Sequence, residues 1–379
     1  MLGFAVAIAA VNLRPALASV GPVLPEIRAD LGLSGAAAAV LTSVPVLCLG
    51  LLAPAAPALA RRWGIEPVVA LVLGALTAGL LVRVLAGTAA LLAGTVLASG
   101  AIAVANVLLP ALVKRDFPAS TGTMMGVYTM SLSGSAAVAA GTTAPLAQAT
   151  GSWRGGLGAW AVPAAVALLA WLPLARRRPA GADQGGGRRL LGDPLAWQVT
   201  AFFGLQSLCF YAVLSWLPTV YRDAGYGAVA AGAVLSGSAL MQIPVTLVLP
   251  RLAARARTQR PYALAATVCT AAGLTGVLVA PTAAPYLWAV VLGAGQGAAF
   301  AVALTLIVLR ARDPADTAGL SAMAQSLGYV LAASGPFLVG AVHDRTGSWT
   351  VPIALLLLLL VPQAAAGLLA GRPRHVGGG

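Results

Sequence analysis

Several short motifs occur twice along the chain in the same order, and this internal repeat constrains the fold more than any other feature. The segment Leu24–Gly32 returns 193 residues later as Leu217–Gly225, with Leu, Pro, Asp and Gly in the same places. Thr150–Trp153 returns 196 residues later as Thr346–Trp349, an identical Thr-Gly-Ser-Trp. The period is far longer than the roughly 20–50 residues of solenoids and propellers. Each copy therefore holds about half of a larger fold, as in transporters built from two related helical bundles.

The composition places this repeat in a membrane. Hydrophobic residues make up 59% of the chain and charged residues 9%, whereas soluble domains are about 25% charged. The formal charge of +13 does not indicate nucleic acid, because the basic residues lie in short clusters between apolar runs and form no basic face. The three cysteines lie inside apolar runs without metal-ligand spacing, which predicts buried free thiols.

Twelve apolar runs are long enough to be membrane spans, since a helix needs about 20 apolar residues to cross the hydrocarbon core. Continuous runs of this length exclude a β-barrel. The predicted fold is an all-α integral membrane protein with twelve transmembrane helices in two six-helix bundles, 1–175 and 195–379, joined by a linker at 176–194. The predicted spans 1 to 12 are 3–26, 36–60, 67–86, 88–113, 121–148, 155–175, 195–220, 227–250, 261–280, 285–309, 317–342 and 350–371.

The distribution of Lys and Arg predicts the orientation. Seventeen of them fall on one side of the predicted spans and five on the other, and the basic side is normally cytoplasmic. We expect a multi-pass protein of the cell membrane with both termini cytoplasmic. The start has no basic region or cleavage site, which predicts a retained first span, and a true start upstream of Met1 stays open. The linker is predicted to be flexible, with attraction of its arginines to anionic lipid as the alternative.

Arg14 is the charged residue that lies deepest within a predicted span. An arginine at the bilayer centre costs about 3 kcal/mol or more, so it persists where it faces a wet cavity or a partner. Snorkelling is the alternative, but Glu26 lies 12 residues further on, about 18 Å along a helix. We therefore expect the guanidinium to face a central cavity and to hold an anionic or strongly polar substrate.

Neutral polar residues at helical spacing supply the rest of a candidate substrate site. Ser207 and Tyr211 in span 7, and Gln325 and Tyr329 in span 11, are each four residues apart and share a helix face. For any single residue, hydrogen bonding between packed helices is the alternative. The predicted substrate-binding residues are Arg14, Asn12, Asn106, Tyr128, Gln206, Ser207, Tyr211, Gln242, Gln296, Gln325 and Tyr329.

The sequence argues against several other classes of activity. Asp, Glu and His do not occur in the middle of a span, which argues against proton coupling through a buried carboxylate, although Glu26 and Asp30 near the outer end of span 1 stay open as alternatives. A phosphate-binding loop of the Walker type is missing, so direct ATP drive is not expected. Intramembrane hydrolysis would lack its acid, base and metal ligands. We expect no enzyme activity, no cofactor and no metal.

Two motif sets carry a family resemblance. Leu59, Ala60, Arg62 and Gly64 match the loop signature between spans 2 and 3 of the major facilitator superfamily, although Arg61 replaces its aspartate. The run Asn12–Leu17, followed by Ser19–Pro22, resembles the first span of the cyanate/2-nitroimidazole transporter branch, and Gly204–Pro218 resembles its seventh span. The resemblance implies alternating-access transport of a small solute at a site between the two bundles.

Three functions are compatible with these sequence features. The leading one is a secondary active transporter of a small polar or anionic solute. An exporter of drugs or hydrophobic metabolites, with Tyr211 and Trp216 on an apolar substrate, is the second. A membrane receptor or scaffold without transport is the third, and it predicts no solute flux. The expected partners are a small-molecule substrate and the lipid bilayer, without nucleic acid, and the expected state is a monomer.

Overall fold

The computed structural model describes residues 2–33, 35–175 and 190–377, and the described residues form helices and connecting turns without a strand. Predicted linker residues 176–189 lie outside the described residues. The spans as they stand in the structure are span 1 (Leu2–Val11, Pro15–Ala18, the 3-10 turn Gly21–Val23 and Leu24–Leu31), span 2 (Gly35–Leu52 and Ala55–Trp63), span 3 (Ile65–Val82), span 4 (Thr88–Asp116), span 5 (Thr121–Thr150), span 6 (Trp153–Gly158 and Ala161–Ala175), span 7 (Pro194–Asp223), span 8 (Ala228–Arg255), span 9 (Arg260–Val279), span 10 (Pro285–Arg310), span 11 (Pro314–Thr346) and span 12 (Thr350–Ala370).

Among the described residues, ten helical segments are long and apolar enough to cross a membrane, and span 2 makes an eleventh if its two helices, bent by 53°, count as one. Span 5 is less apolar because it is rich in Gly, Ser and Thr, but its 30 residues extend about 45 Å. Large apolar side chains such as Phe4, Val279 and Phe337 are more than 70% exposed, as expected of a surface that faces lipid. The all-α, membrane-spanning prediction is confirmed.

Span 1 departs from the prediction of one continuous helix over 3–26. Its first helix ends at Val11, and residues 12–14 form a turn before the short helix Pro15–Ala18. Pro15 and Pro22 lack a backbone N–H and cannot continue the helical hydrogen-bond ladder. The Asn12 side chain donates instead to the Ile8 carbonyl at 2.8 Å. The break lies in the middle of the span, at Arg14.

The two six-helix halves pack against each other at one end of the molecule. This end carries Arg61, Arg62, Lys114, Arg115, Arg255 and Arg310, and we call it the arginine-rich end. Spans 5 and 8 touch there through glycines: a Cβ on Gly126 would lie 2.2 Å from the Leu247 carbonyl oxygen. The Thr129 hydroxyl lies 2.6 Å from the Thr246 carbonyl oxygen across the same contact. Spans 2 and 4 of the first six-helix half also pack against span 11 of the second.

Toward the opposite end, the same two helices no longer meet. A Cβ on Gly134 or Gly141 of span 5, or on Gly232 or Gly237 of span 8, would have no described atom within 4 Å. Span 5 residues 140–142 are exposed, whereas Gly122 and Gly126 are buried. The halves are therefore closed together at the arginine-rich end and separated at the other end.

Candidate functional site

Arg14 is positioned by the break in span 1. It immediately precedes the short helix Pro15–Ala18, with φ −100° and ψ −30°, and its carbonyl accepts the N–H groups of Leu17 and Ala18. The backbone there makes no continuous helix, so the side chain is directed by a turn rather than by helical periodicity. The side chain is partly exposed, although it lies halfway along a membrane span.

The neighbours of the Arg14 guanidinium come from both halves of the chain. Its central carbon lies 5.2 Å from the centre of the Phe300 ring of span 10, a cation–π distance. The hydroxyls of Tyr128, Tyr211 and Tyr329 are close enough to interact electrostatically with the guanidinium, and Tyr211 is within hydrogen-bonding reach of it. The ion pairs of the described residues do not include Arg14. Its charge is therefore surrounded by neutral hydroxyls and an aromatic ring.

A hydrogen-bonded group of neutral side chains lies beside this cation and joins the two halves. Tyr128 donates its hydroxyl to Asn106 Oδ1 at 3.2 Å, within the first half. Gln325 of span 11 donates to the Asn106 carbonyl at 3.0 Å and to Ser321 Oγ at 2.7 Å. A change in the separation of the halves at this depth must therefore break or re-form the bond between Gln325 and Asn106.

Aromatic rings from the second half complete the surroundings of Arg14. Tyr329 makes edge-to-face contacts with Phe203 and Tyr211, with ring centres 5.3 and 6.4 Å apart. Phe210 contacts Tyr211 in the same manner at 5.3 Å. Edge-to-face pairs hold rings in defined orientations. Arg14 thus faces a preorganised aromatic wall that carries two hydroxyl groups.

The remaining predicted site residues lie in less direct relation to Arg14. Gln206 is buried and donates to the Phe203 carbonyl and to Ser207 Oγ, at 3.0 and 2.7 Å. Gln242 packs on Gly297, where a Cβ would lie 3.0 Å from the Gln242 Cα. Gln296 is within hydrogen-bonding reach of the Cys209 thiol, and its Nε2 has no hydrogen-bond partner among the described atoms.

Sequence reasoning missed two residues that shape this region. Phe300 is an apolar residue in an apolar run, and no pattern in the sequence singles it out. Arg83, near the outer end of predicted span 3, is fully buried. Its guanidinium donates to the Ala16 carbonyl at 2.8 Å, to Ser19 Oγ at 3.2 Å and to the Leu157 carbonyl at 3.3 Å. Arg83 therefore holds the segment after the break in span 1.

Within each half, the two repeated motifs contact each other at the end opposite to the arginine-rich end. The Trp153 indole N–H donates to Asp30 Oδ2 at 3.0 Å, and the Trp349 indole N–H donates to Asp223 Oδ2 at 2.8 Å. We call these pairs the first and second Asp–Trp locks. Each ties the end of span 1 or 7 to the loop that enters span 6 or 12. The Trp153 hydrogen bond, aided by Arg154 at 2.8 Å, lowers the pKa of the Asp30 carboxyl.

The same turn precedes the tryptophan in both copies. Gly151 and Gly347 have φ of 68° and 63°, in the left-handed region that glycine adopts without strain. The hydroxyls of Thr150 and Thr346 each lie 3.2 Å from the carbonyl oxygen two residues on. The repeated Thr-Gly-Ser-Trp sequence is thus a structural signal, and the residues that recur in the sequence are those that form the locks.

Groups of three or more His, Cys, Asp and Glu side chains that could hold a metal ion do not occur within the described ranges.

Comparison with known sequences identifies the family of this chain. The sequence model of the Major Facilitator Superfamily matches residues 2–333.

Three curated relatives are similar over nearly the whole chain. An uncharacterized transporter, YycB, of Bacillus subtilis is 41% identical over 97% of this chain and 92% of its own. The 2-nitroimidazole transporter of Escherichia coli is 36% identical over 97% of this chain and 94% of its own. The cyanate transport protein CynX of Escherichia coli is 33% identical over 92% of both chains.

Solved structures agree on the fold. The transporter FucP in an outward conformation superposes with a TM-score of 0.78 at 12% identity, over 98% of this chain and 99% of that chain.

Proposed function

The chain belongs to the Major Facilitator Superfamily and is a secondary transporter of small solutes rather than an enzyme, and we propose that its substrate is a small polar or anionic solute bound by Arg14. The observation that carries the proposal is a cation at mid-membrane depth whose described neighbours are neutral. A guanidinium offers paired N–H donors that match a carboxylate or a similar planar anion. An anion would supply the charge that the surrounding tyrosines and Phe300 do not.

We infer that transport proceeds by alternating access, with the two halves rocking about the Arg14 site. The residues around Arg14 come from spans 1, 4 and 5 and from spans 7, 10 and 11, which supports a site shared by both halves. The contact of spans 5 and 8 at the arginine-rich end and the separation at the other end correspond to one of the two states such a mechanism needs. With the orientation expected from the basic residues, this state opens outward.

The proposed central site comprises six residues. Arg14 would bind the negative group of the substrate, and Tyr211 and Tyr329 would contact the rest of it. Asn106, Tyr128 and Gln325 would respond to it through their hydrogen bonds, of which the one from Gln325 to Asn106 joins the halves. Asn12, Gln206, Ser207, Gln242 and Gln296 stay predicted substrate-binding residues. We further propose a monomer in the cell membrane with both termini cytoplasmic.

A second candidate is an exporter of drugs or hydrophobic metabolites. The aromatic cluster of Phe203, Phe210, Tyr211 and Tyr329 favours it, because such rings can stack on a flat uncharged substrate. The name of one relative, a 2-nitroimidazole transporter, points to a heteroaromatic solute. In this alternative Arg14 organises the cavity and does not neutralise the substrate.

Transport of a charged and an uncharged compound of the same shape separates the two candidates. Purified protein in liposomes would be tested with benzoate, its neutral isostere benzamide, cyanate and 2-nitroimidazole, and protein-free vesicles would give the leak. We expect benzoate or cyanate to be carried and benzamide to be excluded. We also expect Arg14→Gln, at normal expression, to lose anion transport. Transport of benzamide and 2-nitroimidazole that persists in Arg14→Gln would instead establish the exporter.

A further inference from the structure

The acidic residues that the structure describes lie in other parts of the fold than Arg14. The described ones lie within the first or last few residues of a helix or cap one. Most of them already have a partner: Glu66 and Asp116 pair with Arg115, and the Asp–Trp locks use two more. The ten acidic residues are Glu26, Asp30, Glu66, Asp116, Asp183, Asp193, Asp223, Asp313, Asp316 and Asp344, of which Asp183 lies outside the described residues.

Without a substrate, the site therefore carries one positive charge that the described residues do not neutralise. The groups that interact with the guanidinium include the hydroxyls of Tyr128, Tyr211 and Tyr329 and the ring of Phe300. Hydroxyl dipoles and a ring face attract a cation, but they carry no net charge. In the observed state Arg14 is partly exposed, so water in the open half of the molecule can solvate it.

Closure of the two halves around the empty site would remove this water. Transfer of a charge into a dry, low-dielectric interior is strongly unfavourable unless fixed acceptors replace its water, as the Ala16 and Leu157 carbonyls do for Arg83. A bound monoanion cancels the charge and supplies the missing hydrogen-bond acceptors, so the loaded site can close at a much smaller cost. The free-energy barrier between the two open states is thus lower for the loaded protein than for the empty one.

From this charge balance we propose that the protein is an obligatory anion exchanger, which carries one monoanion inward for each monoanion it carries outward. The proposal rests on the proposed function, since it assumes that Arg14 binds the transported anion. The exchange partner is any small monoanion that fits beside Arg14. Because the loaded site is neutral, the exchange moves no net charge. An interior-negative potential, which opposes the entry of a free anion, does not oppose this exchange.

The test compares uptake into loaded and unloaded vesicles. Proteoliposomes would contain either unlabelled benzoate or only the bulky anion gluconate, and radiolabelled benzoate would be added outside, with cyanate as a second probe. We expect initial uptake into benzoate-loaded vesicles to be at least about tenfold faster, and unchanged when valinomycin and a potassium gradient set a membrane potential. Replacing internal gluconate by chloride shows whether chloride serves as the partner.

Equal rates of uptake into loaded and gluconate vesicles would overturn the exchange and leave the proposed function standing. Failure to carry any tested anion under either condition would overturn both. A strong effect of the imposed potential on the exchange rate would also contradict the proposal, because it would require net charge to move with the loaded site.

A charge placed inside the site gives a second test. Phe300→Glu puts a carboxylate where a ring now lies 5.2 Å from the guanidinium, and Phe300→Gln has the same shape without the charge. We expect Phe300→Glu to neutralise Arg14 and therefore to lose benzoate uptake into loaded and unloaded vesicles alike. Phe300→Gln should keep benzoate uptake with a high ratio of loaded to unloaded rates. Benzoate uptake that survives in Phe300→Glu would contradict the charge argument, and the wild-type ratio tests it independently of how either variant folds.

Discussion

The two halves of the chain are alike at one level of the membrane and different at another. At the end opposite to the arginine-rich end, each half has the same Asp–Trp lock, with distances of 3.0 and 2.8 Å. In the middle, Arg14 of the first half corresponds at the 193-residue offset to Ser207 of the second. Ser207 is buried and accepts a hydrogen bond from Gln206. The repeat is retained where it holds helix ends together and has diverged at the depth of the site.

This difference explains how a duplicated fold can hold one substrate. Two arginines at equivalent positions would place two unpaired charges in one cavity, and like charges at close range repel. One arginine faced by aromatic residues, which include Phe300 and Tyr329 of the second half, makes a site with a single charged side instead. The Asp–Trp locks, by contrast, hold helix ends together in both halves, and having two of them places no second charge in the cavity.

The largest effect is expected from removing the central charge. Arg14→Gln keeps hydrogen-bonding capacity but loses the charge and the paired donors, so anion transport should fall at least about 100-fold. Ser207→Ala, at the equivalent position of the other half, should lower it less than about fivefold. Initial rates of benzoate uptake in proteoliposomes measure both. Similar losses in the two variants would show that the halves contribute alike.

Arg83 offers a second comparison, between Arg14, which is partly exposed and faces the cavity, and Arg83 itself, which is buried inside the protein. Arg83→Gln removes donors from two backbone carbonyls and from Ser19, and we expect a loss of about 2–3 kcal/mol in stability. Thermal unfolding in detergent should show a clearly lower midpoint for Arg83→Gln and a nearly unchanged one for Arg14→Gln. The reverse order would mean that Arg14 is the structural arginine.

Removing either Asp–Trp lock should have a smaller effect, and the effect should be similar in the two halves. Trp153→Phe and Trp349→Phe each keep an aromatic ring and lose the N–H donor to an aspartate. Each should lower the apparent unfolding temperature by roughly 1–2 °C at this chain length and leave the KM for the anion unchanged. Trp197→Phe, which removes a similar bond from an indole to the Leu191 carbonyl, is the control for a tryptophan outside the repeat. A change in KM from either lock variant would break the proposed separation of scaffold and site.

The smallest effect concerns pH. The pKa of Asp30 is lowered chiefly by the Trp153 hydrogen bond and also by Arg154. Because the pKa in the folded state lies below that in the unfolded state, the stabilisation is present at neutral pH and is lost as the pH falls through the acidic range below about 4. The difference in unfolding temperature between the wild type and Asp30→Asn should therefore shrink between pH 6 and pH 3. A difference that is constant with pH would show that the carboxylate charge does not matter.

Some parts of this structure could be predicted from the sequence and others could not, for physical reasons. Arg14 is identifiable because a charge within an apolar run has few explanations. The locks leave a trace because their residues recur at a fixed spacing, although the contact between Asp30 and Trp153 is a tertiary one. The break in span 1 follows from Pro15 and Pro22, yet a hydropathy pattern cannot distinguish a bent span from a straight one.

Other features depend on how the helices pack and leave no local pattern. Phe300 approaches Arg14 only because span 10 faces span 1 across the two halves. Arg83 is placed at the edge of a span by its position, and its burial depends on how spans 1 and 6 cover it. Gly122 and Gly126 of span 5 approach span 8 closely, while Gly134 in the same helix faces open space. The sequence alone does not distinguish these glycines.

The most direct test of the account is the charge preference of equilibrium binding. Affinities for benzoate and benzamide would be measured by calorimetry on the purified wild type, Arg14→Gln and Ser207→Ala. We predict that the wild type and Ser207→Ala bind benzoate at least about tenfold more tightly than benzamide, and that Arg14→Gln binds the two equally. A preference for benzoate that survives in Arg14→Gln would contradict the assignment of Arg14 as the group that binds the anion.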